Sequence, residues 1–209
     1  MIDAGRWLAI DCTTEACSVA LLEGGAVIAG EFRQMGRGHA EALVPMIAAL
    51  PDKGRAARIA VGLGPGSFTG VRIGLAAARA LGLAWGAEVF GYPTLALVAA
   101  QAGGDVLVCS TGGHGEWFTQ GFDADGLATG ALASESAEAA ILHHQSRVAG
   151  SQAEALVARR GFGEAIPLWP DAREVACLSP SHLTRDLAPL YGRAPDAKPS
   201  KAIATPPAA

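Results

Sequence analysis

Short apolar runs and segments of helical periodicity alternate through the first half of the chain. Apolar runs at 7–10, 17–22 and 26–32 predict three strands, with "EGG" (23–25) as a hairpin turn between the second and third. Apolar residues then recur at helical spacing over 39–50. A buried strand at 58–64, a long helix at 67–85, a strand at 88–92 and a helix at 94–102 follow. The predicted order is βββαβαβα.

The second half repeats this beginning in a weaker form. Strands are predicted at 106–110, 116–122 and around 127–133, and helices at 136–145 and 152–160 flank a small strand at 147–150. Residues 166–180 are predicted to be irregular, with a helix near 181–188. We therefore expect two related α/β subdomains, at 1–103 and 104–190, and a Pro/Ala-rich tail at 191–209.

Composition narrows the classes of function. Only 17% of the 209 residues are charged, 50% are hydrophobic, and mean hydropathy is +0.28, which indicates that a partner covers part of the surface. The net charge of −4 and the lack of any Lys/Arg run argue against tight nucleic-acid binding by this chain. Four cysteines without a CxxC pair indicate free thiols. Without a signal peptide or membrane span in the pattern, we expect a cytoplasmic protein.

The stretch "GLGPGSFTGVRIG" (62–74) is glycine-rich and leads from a predicted strand into a predicted helix, as phosphate-binding loops often do. Its glycine spacing is one residue too long for both the Walker A motif and the dinucleotide fingerprint. A helix N-terminus beside glycines can still bind an anion. Gly64, Gly66 and Ser67 are therefore candidates for a nucleotide or anion site, with Ser67 or Thr69 as the helix N-cap.

A second explanation of these glycines lies further along the same helix. Gly70, Gly74, Ala78 and Gly82 are spaced four residues apart and form one stripe of small residues. Glycine within a helix costs about 0.5–1 kcal/mol relative to alanine, so close packing against another element must offset it. Packing, either internal or against a partner, is favoured over phosphate contact as the reason for the stripe.

Several of these strings together resemble one protein family. "LAIDCTTEACSVALL" (8–22), "HAEALVPMI" (39–47) and "GLGPGSFTGVRIGLAAARALGLA" (62–84) are similar to the TsaB (YeaZ) family of bacterial tRNA-modification proteins, and "YGRAPDAKP" (191–199) resembles that family's ending. The resemblance implies an actin/Hsp70-like ATPase fold of ribonuclease-H-like subdomains, with mixed β-sheets flanked by helices. This agrees with the predicted order of elements.

The resemblance also implies a function and a partner. TsaB-like proteins are non-catalytic paralogues of TsaD that support threonylcarbamoyl transfer to the adenosine beside the tRNA anticodon. It implies a TsaD-like catalytic partner, a TsaE-like ATPase in the complex, and ATP or ADP at the joint surface rather than an intrinsic cofactor. We also expect a homodimer when the partner is absent. The partner surface is expected on helices 39–50 and 70–85, at His39, Leu43, Met46, Ile47, Gly70, Arg72, Gly74, Ala78 and Gly82.

No catalytic or metal-ligating residue is predicted in this chain. The catalytic paralogue holds its metal with an HxxxH pair, and Thr94 and Val98 occupy the matching positions. Asp11, Thr13 and Thr14, in the first turn, are candidate nucleotide contacts, although Asp11 is as well explained by hydrogen bonds to turn N–H groups. The alternatives are an independent ATPase or kinase of the same fold and, less favoured, a glycoprotease-type metallopeptidase.

Overall fold

The computed structural model describes residues 5–192, and its first half forms one five-stranded mixed sheet flanked by helices. The strands are β1 (Arg6–Asp11), β2 (Ala16–Glu23), β3 (Ala26–Gln34), β4 (Arg58–Gly62) and β5 (Glu88–Tyr92), in the spatial order β3-β2-β1-β4-β5. The helices are α1 (His39–Ala49), α2 (Phe68–Trp85) and α3 (Thr94–Ala102). The first three strands are antiparallel, and β4 and β5 join parallel to β1.

The second half builds another sheet with the same topology. Its strands are β6 (Val106–Thr111), β7 (Trp117–Phe122), β8 (Ala133–Glu135), β9 (Arg147–Ala149) and β10 (Glu164–Ile166), in the order β10-β9-β6-β7-β8. Its helices are α4 (Ala137–Ala140) and α5 (Ala153–Arg160). Each sheet places its first strand in the centre, between an antiparallel hairpin and two parallel strands. The predicted fold class, with two related subdomains, is confirmed.

Three predictions in the second half were wrong in detail. The strand expected around 127–133 is the short β8, because the Asp123 carboxylate accepts from the N–H groups of Asp125 and Leu127 and holds a turn there. The helix expected at 136–145 ends at Ala140. The segment 181–188 contains only a 3₁₀ turn, Pro180–His182, and Thr184 then pairs its backbone with Gly91 of β5. The strand β10 was not predicted.

The core has layers on both sides of the first sheet. One face packs against α1 and α2 and includes Leu8, Ile10, Leu43, Met46 and Ile59. The other face packs against α3, whose residues 94–99 are all buried, and continues into the second sheet through Val106, Val108 and Phe118. The helix α3 is therefore the element shared by the two subdomains, and burial on all sides explains its nearly continuous apolar sequence.

The stripe of small residues faces the chain's own first sheet. A Cβ at Gly70 would overlap the carbonyl oxygen of Cys12, one at Gly82 would collide with the Val89 side chain, and Ala78 is fully buried. On the opposing helix, His39, Leu43, Met46 and Ile47 are buried as well. The expectation that these residues meet a partner is corrected, because they form the interior of this subdomain. Of the predicted interface residues, only Arg72 is exposed.

Two glycines of α2 allow a matched test of this packing. Gly70→Ala should lower the free energy of unfolding by about 3 kcal/mol, because the new Cβ would overlap a backbone carbonyl that cannot move aside. Gly74→Ala should leave stability within about 1 kcal/mol of the wild type, or raise it, because its Cβ would lie 3.5 Å from a Val61 methyl and alanine favours the helix. Urea denaturation measures both. Equal losses for the two variants would contradict the assignment of Gly70 as the position of closest approach.

Candidate functional site

A cleft with a volume of about 660 Å³ lies between the two subdomains. Its walls are the β1–β2 turn (13–15), the segment leading into α1 (36–41), the start of α2 (66–70) and the β6–β7 turn (111–114). Because the two sheets share one topology, the two turns are equivalent hairpins that face each other across the cleft. The volume is in the range of small-ligand sites.

The structure brings together four of the six predicted nucleotide or anion residues. Thr13, Thr14, Gly66 and Ser67 line the cleft. Asp11 and Gly64 do not, and that part of the prediction is corrected. Asp11 is completely buried, where its Oδ1 accepts from the N–H and hydroxyl of Thr13 and its Oδ2 accepts from the Tyr92 hydroxyl. Because both oxygens accept hydrogen bonds from the chain itself, Asp11 stabilises the turn and is not placed to bind a ligand.

The glycine-rich loop binds the protein's own first turn. The N–H of Ser67 donates to the carbonyl oxygen of Thr13 at 2.7 Å, and a Cβ at Gly66 would overlap that same oxygen. A Cβ at Gly62 would collide with the Asp11 carboxylate. The glycines therefore allow the loop to wrap closely around 11–13, and this explains why their spacing matches no phosphate motif.

A chain of buried hydrogen bonds ties three elements together behind the cleft. The N–H of Gly64 donates to Thr94 Oγ1 (3.2 Å), Thr94 Oγ1 donates to Thr13 Oγ1 (3.0 Å), and Thr13 Oγ1 donates to Asp11 Oδ1 (2.7 Å). We call the side chains of Asp11, Thr13, Tyr92 and Thr94, together with the Gly64 N–H, the Asp11 network. It joins the end of β1, the loop before α2 and the start of α3.

The start of α2 is capped from within the chain. Ser67 is the N-cap, as one of the two predicted candidates, and its Oγ accepts from the Gly70 N–H at 3.2 Å. Nearby, a ring N–H at His39 Nε2 is placed to donate to the carbonyl oxygens of Thr14 and Ala16, at 2.9 and 3.3 Å. His39, predicted as an interface residue, instead fixes the β1–β2 turn from the α1 side.

Sequence reasoning missed several residues of the cleft. The Phe68 ring lines the cleft and stacks on Tyr191 with centroids 4.5 Å apart. The guanidinium of Arg72, which was predicted as an interface residue, lies 5.6 Å from the Phe68 ring centre. Glu15 also lines the cleft, and its Oε2 is buried without a hydrogen-bond partner among the described residues. The repeated hairpin could have indicated 111–114, but nothing in the local pattern places Tyr191 beside Phe68.

An apolar surface is exposed on the far side of α1 and α2. Between the buried positions of these two contacting helices, exposed aliphatic residues recur at helical spacing, and Leu83 is 89% and Val44 63% exposed. We call this surface the outer helical face; it comprises Val44, Ala48, Ala76, Ala80 and Leu83. Exposed apolar residues grouped on two contacting helices are typical of a protein–protein interface.

Residues 5–192 contain neither a cluster of metal ligands nor a membrane-spanning helix. No group of three or more His, Cys, Asp or Glu side chains is arranged to hold a metal ion in this part of the chain. Within the same residues, no helix is both long and apolar enough to cross a membrane.

Burial raises the pKa of Asp11 to about 6, although the hydrogen bonds from Thr13 and Tyr92 oppose the shift. In the unfolded chain the carboxyl ionises near a pKa of about 3.9, so between these values the unfolded state releases a proton that the folded state keeps. Asp11 should therefore lower stability by about 3 kcal/mol as pH rises from about 4 to 6, with no further change above.

Asp11→Asn removes this titration. Urea denaturation at a series of pH values gives the free energy of unfolding of the wild type and of Asp11→Asn. Between about pH 4 and 6, the wild type should lose stability relative to Asp11→Asn. A constant difference from pH 4 to 7 would show that Asp11 titrates normally.

Comparisons with known proteins agree on a single family. A family model described as "TsaD: tRNA N6-adenosine threonylcarbamoyltransferase" matches residues 33–158, which is more than half of the chain. An uncharacterized protein of Mycobacterium tuberculosis is 34% identical over 200 residues, covering 92% of this chain and 93% of that protein. The tRNA threonylcarbamoyladenosine biosynthesis protein TsaB of Escherichia coli is 46% identical over 104 residues, 46% of this chain and 44% of that protein.

Solved structures extend the likeness beyond the N-terminal half. YeaZ from Pseudomonas aeruginosa superimposes with a TM-score of 0.74 at 25% identity, over 90% of this chain and 99% of that one. The ethanolamine utilization protein EutJ from Carboxydothermus hydrogenoformans, at a TM-score of 0.50 and 13% identity, shares the fold alone. The repeated sheet, the cleft between the two hairpins and these matches together show that the chain belongs to the TsaB (YeaZ) family, within the larger family of TsaD-like proteins.

Proposed function

We propose that this protein acts in threonylcarbamoyladenosine synthesis on tRNA, as the non-catalytic partner subunit of a TsaD-like enzyme. The observation that carries the proposal is the outer helical face, an exposed apolar surface on a chain of this family. The family named in the comparisons gives the pathway, and this surface gives the chain a means of joining a partner.

The positions of a catalytic metal pair have structural roles in this chain. Thr94 is fully buried, and its hydroxyl accepts from Gly64 and donates to Thr13. Val98 is also fully buried and packs in the core on both sides of α3. Neither side chain reaches the cleft, so a metal could not be held there without disrupting the Asp11 network. This favours a role in which the chain assists a TsaD-like enzyme over one in which it catalyses the transfer itself.

The composition of the outer helical face suits a partner better than solvent. Three of its five residues are alanines, whose small side chains let another helix approach closely. Arg72 and Arg79 are exposed on the same helix; Arg72 lies against the Phe68 ring and Arg79 donates to the Leu187 carbonyl oxygen, and their remaining N–H groups can pair with acidic groups of a partner. In the partner's absence, we propose that two copies of this chain associate through the same face. The full assembly also takes a TsaE-like ATPase and works in the cytoplasm.

A substitution on this face tests the interface without disturbing the core. Leu83→Asp should weaken the complex with a TsaD-like partner at least about tenfold, because a carboxylate would be buried against an apolar surface. Val44→Asp, on α1, should act in the same direction. Titration calorimetry with the purified partner gives the affinity, and an assay of threonylcarbamoyl transfer with and without this chain gives the function.

Leu142→Asp is the matched control, because Leu142 is 70% exposed and lies after α4 of the second subdomain. It should leave the affinity unchanged. If Leu83→Asp and Val44→Asp both bind the partner as tightly as the wild type, the outer helical face is not the interface. If the transfer assay runs equally well without this chain, the proposed function is wrong.

We also propose that ATP or ADP is held at the joint surface with the partner and not by this chain alone. The β1–β2 turn has no glycine, its Asp11 is enclosed, and the N-cap hydroxyl of Ser67 is already paired with Gly70. Calorimetry of the isolated chain with ATP and Mg²⁺ should detect no binding in the micromolar range. Micromolar binding or steady hydrolysis would instead favour the alternative of an independent ATPase.

A further inference from the structure

Two cysteines face each other at the end of the β1–β2 hairpin. The last formal pair of the antiparallel ladder is Asp11 with Ser18, and the next step of the same register places Cys12 opposite Cys17. Their Sγ atoms are 3.3 Å apart and share a hydrogen bond. The pairing is thus built into the strand register, and the four residues 13–16 close the turn beyond it.

The pair is enclosed but close to the cleft. Cys12 is 1% and Cys17 0% exposed, in the core that α1 and α2 form with the first sheet. Thr13 and Thr14, the next residues after Cys12, form part of the cleft wall. At this burial the pair excludes large reagents and other proteins' thiols, so an oxidant that reaches it must be small and uncharged and must pass the turn at Thr13 from the cleft.

The surroundings distinguish the two sulfurs. The hydrogen bond from Cys12 lowers the pKa of Cys17, and the charge of Arg33, its cross-strand neighbour on β3, acts in the same direction. Burial, Asp11 and Glu31 oppose this. Cys17 is therefore the sulfur with more thiolate character, and the thiolate is the reactive form of cysteine.

We propose that Cys12 and Cys17 are a redox-active pair that closes to an intramolecular disulfide when hydrogen peroxide reaches the cleft. The Cys17 thiolate attacks one peroxide oxygen, so that the O–O bond breaks, hydroxide leaves and takes up a proton as water, and a sulfenic acid remains on Cys17. The Cys12 sulfur then attacks the Cys17 sulfur, its proton leaves with the sulfenic hydroxyl as a second water, and the S–S bond forms. Two thiols are oxidised and one peroxide is reduced to two waters.

Closure requires only a small movement of the turn. A disulfide has an S–S length of about 2.05 Å, so the sulfurs must approach by about 1.2 Å. The Cα atoms of directly opposed residues in an antiparallel ladder are about 4.5–5.5 Å apart, a separation that a disulfide can span. The bond would fix the turn 13–16, which forms part of the cleft wall and accepts the backbone of the glycine-rich loop. This goes beyond the proposed function, since it would make the shape of the cleft sensitive to peroxide.

The test uses the full chain with Cys177→Ser, which removes the exposed thiol and with it disulfides between molecules. The folded protein is treated with hydrogen peroxide, alkylated after unfolding, and digested for mass spectrometry. We expect a Cys12–Cys17 linkage that lacks two hydrogen atoms and both alkyl labels, and that a reductant reverses. Amide hydrogen exchange at 13–16 should become slower in the oxidised form.

Cys109 is an internal control, because it is as buried as the pair, has no second cysteine beside it, and its pKa is raised by burial to about 12. The pair should lose its free thiols at least about tenfold faster than Cys109. Cys12→Ser and Cys17→Ser should each abolish the linkage. Loss of thiols at equal rates at all three positions, a linkage that forms only in urea, or unchanged exchange at 13–16 after linkage would each overturn the proposal.

Discussion

The fold depends on how the end of β1 is held. Asp11 is buried there as a carboxyl group, and the Asp11 network satisfies it with donors from the turn and from Tyr92 on β5. The same network reaches the loop before α2 through Gly64 and the start of α3 through Thr94. An unpaired buried polar group is costly, so each of these elements is confined to a position that completes the set. The cleft is positioned as a result, because its walls continue from these same residues.

The glycine-rich loop follows from that constraint. A loop that must pass against the Asp11 carboxylate and the Thr13 carbonyl has no room for side chains, so glycine stands at the positions of closest approach. The same holds at Gly70, against Cys12, where α2 begins. The cost of glycine in a helix is offset by the depth to which α2 can settle on the sheet. With the inner side of α2 used in this way, only its outer side is left for a partner.

The two subdomains share a topology but differ in how much of the cleft wall and of the proposed interface they contain. The first contains the long helices, the outer helical face and most of the cleft wall. The second contributes one hairpin turn, and its helices α4 and α5 have only four and eight residues. This division suits a subunit that retains the framework of a two-lobed enzyme fold and uses one lobe for assembly.

Most of the elements of the first half could be predicted because each has a clear period of its own. The apolar runs of β1–β3 and the spacing of Leu43, Met46 and Ile47 in α1 are local properties, and the family strings at 8–22 and 62–84 indicated the fold and the pathway. In the second half, the predicted bounds of β8 were wrong, β10 was not predicted, and the predicted helix after Pro180 is only a 3₁₀ turn. These segments are short. The local turn at Asp123 displaces β8, whereas β10 and the segment at Thr184 depend on backbone pairing with β9 and with Gly91, which are not local in sequence.

The sequence by itself determined that a stripe of small residues in α2 must pack closely, that Ser67 could begin the helix, and that no metal pair stands at Thr94 and Val98. Only the tertiary structure decided which surface the stripe meets. A stripe of small residues indicates that another element packs closely against the helix, but it does not identify that element. Which element it is depends on how α2 packs, and the Asp11 network between distant segments sets that packing. For the same reason, Asp11 could be identified as a candidate from its place at a strand end, whereas its enclosure depended on Tyr92, 81 positions further along the chain.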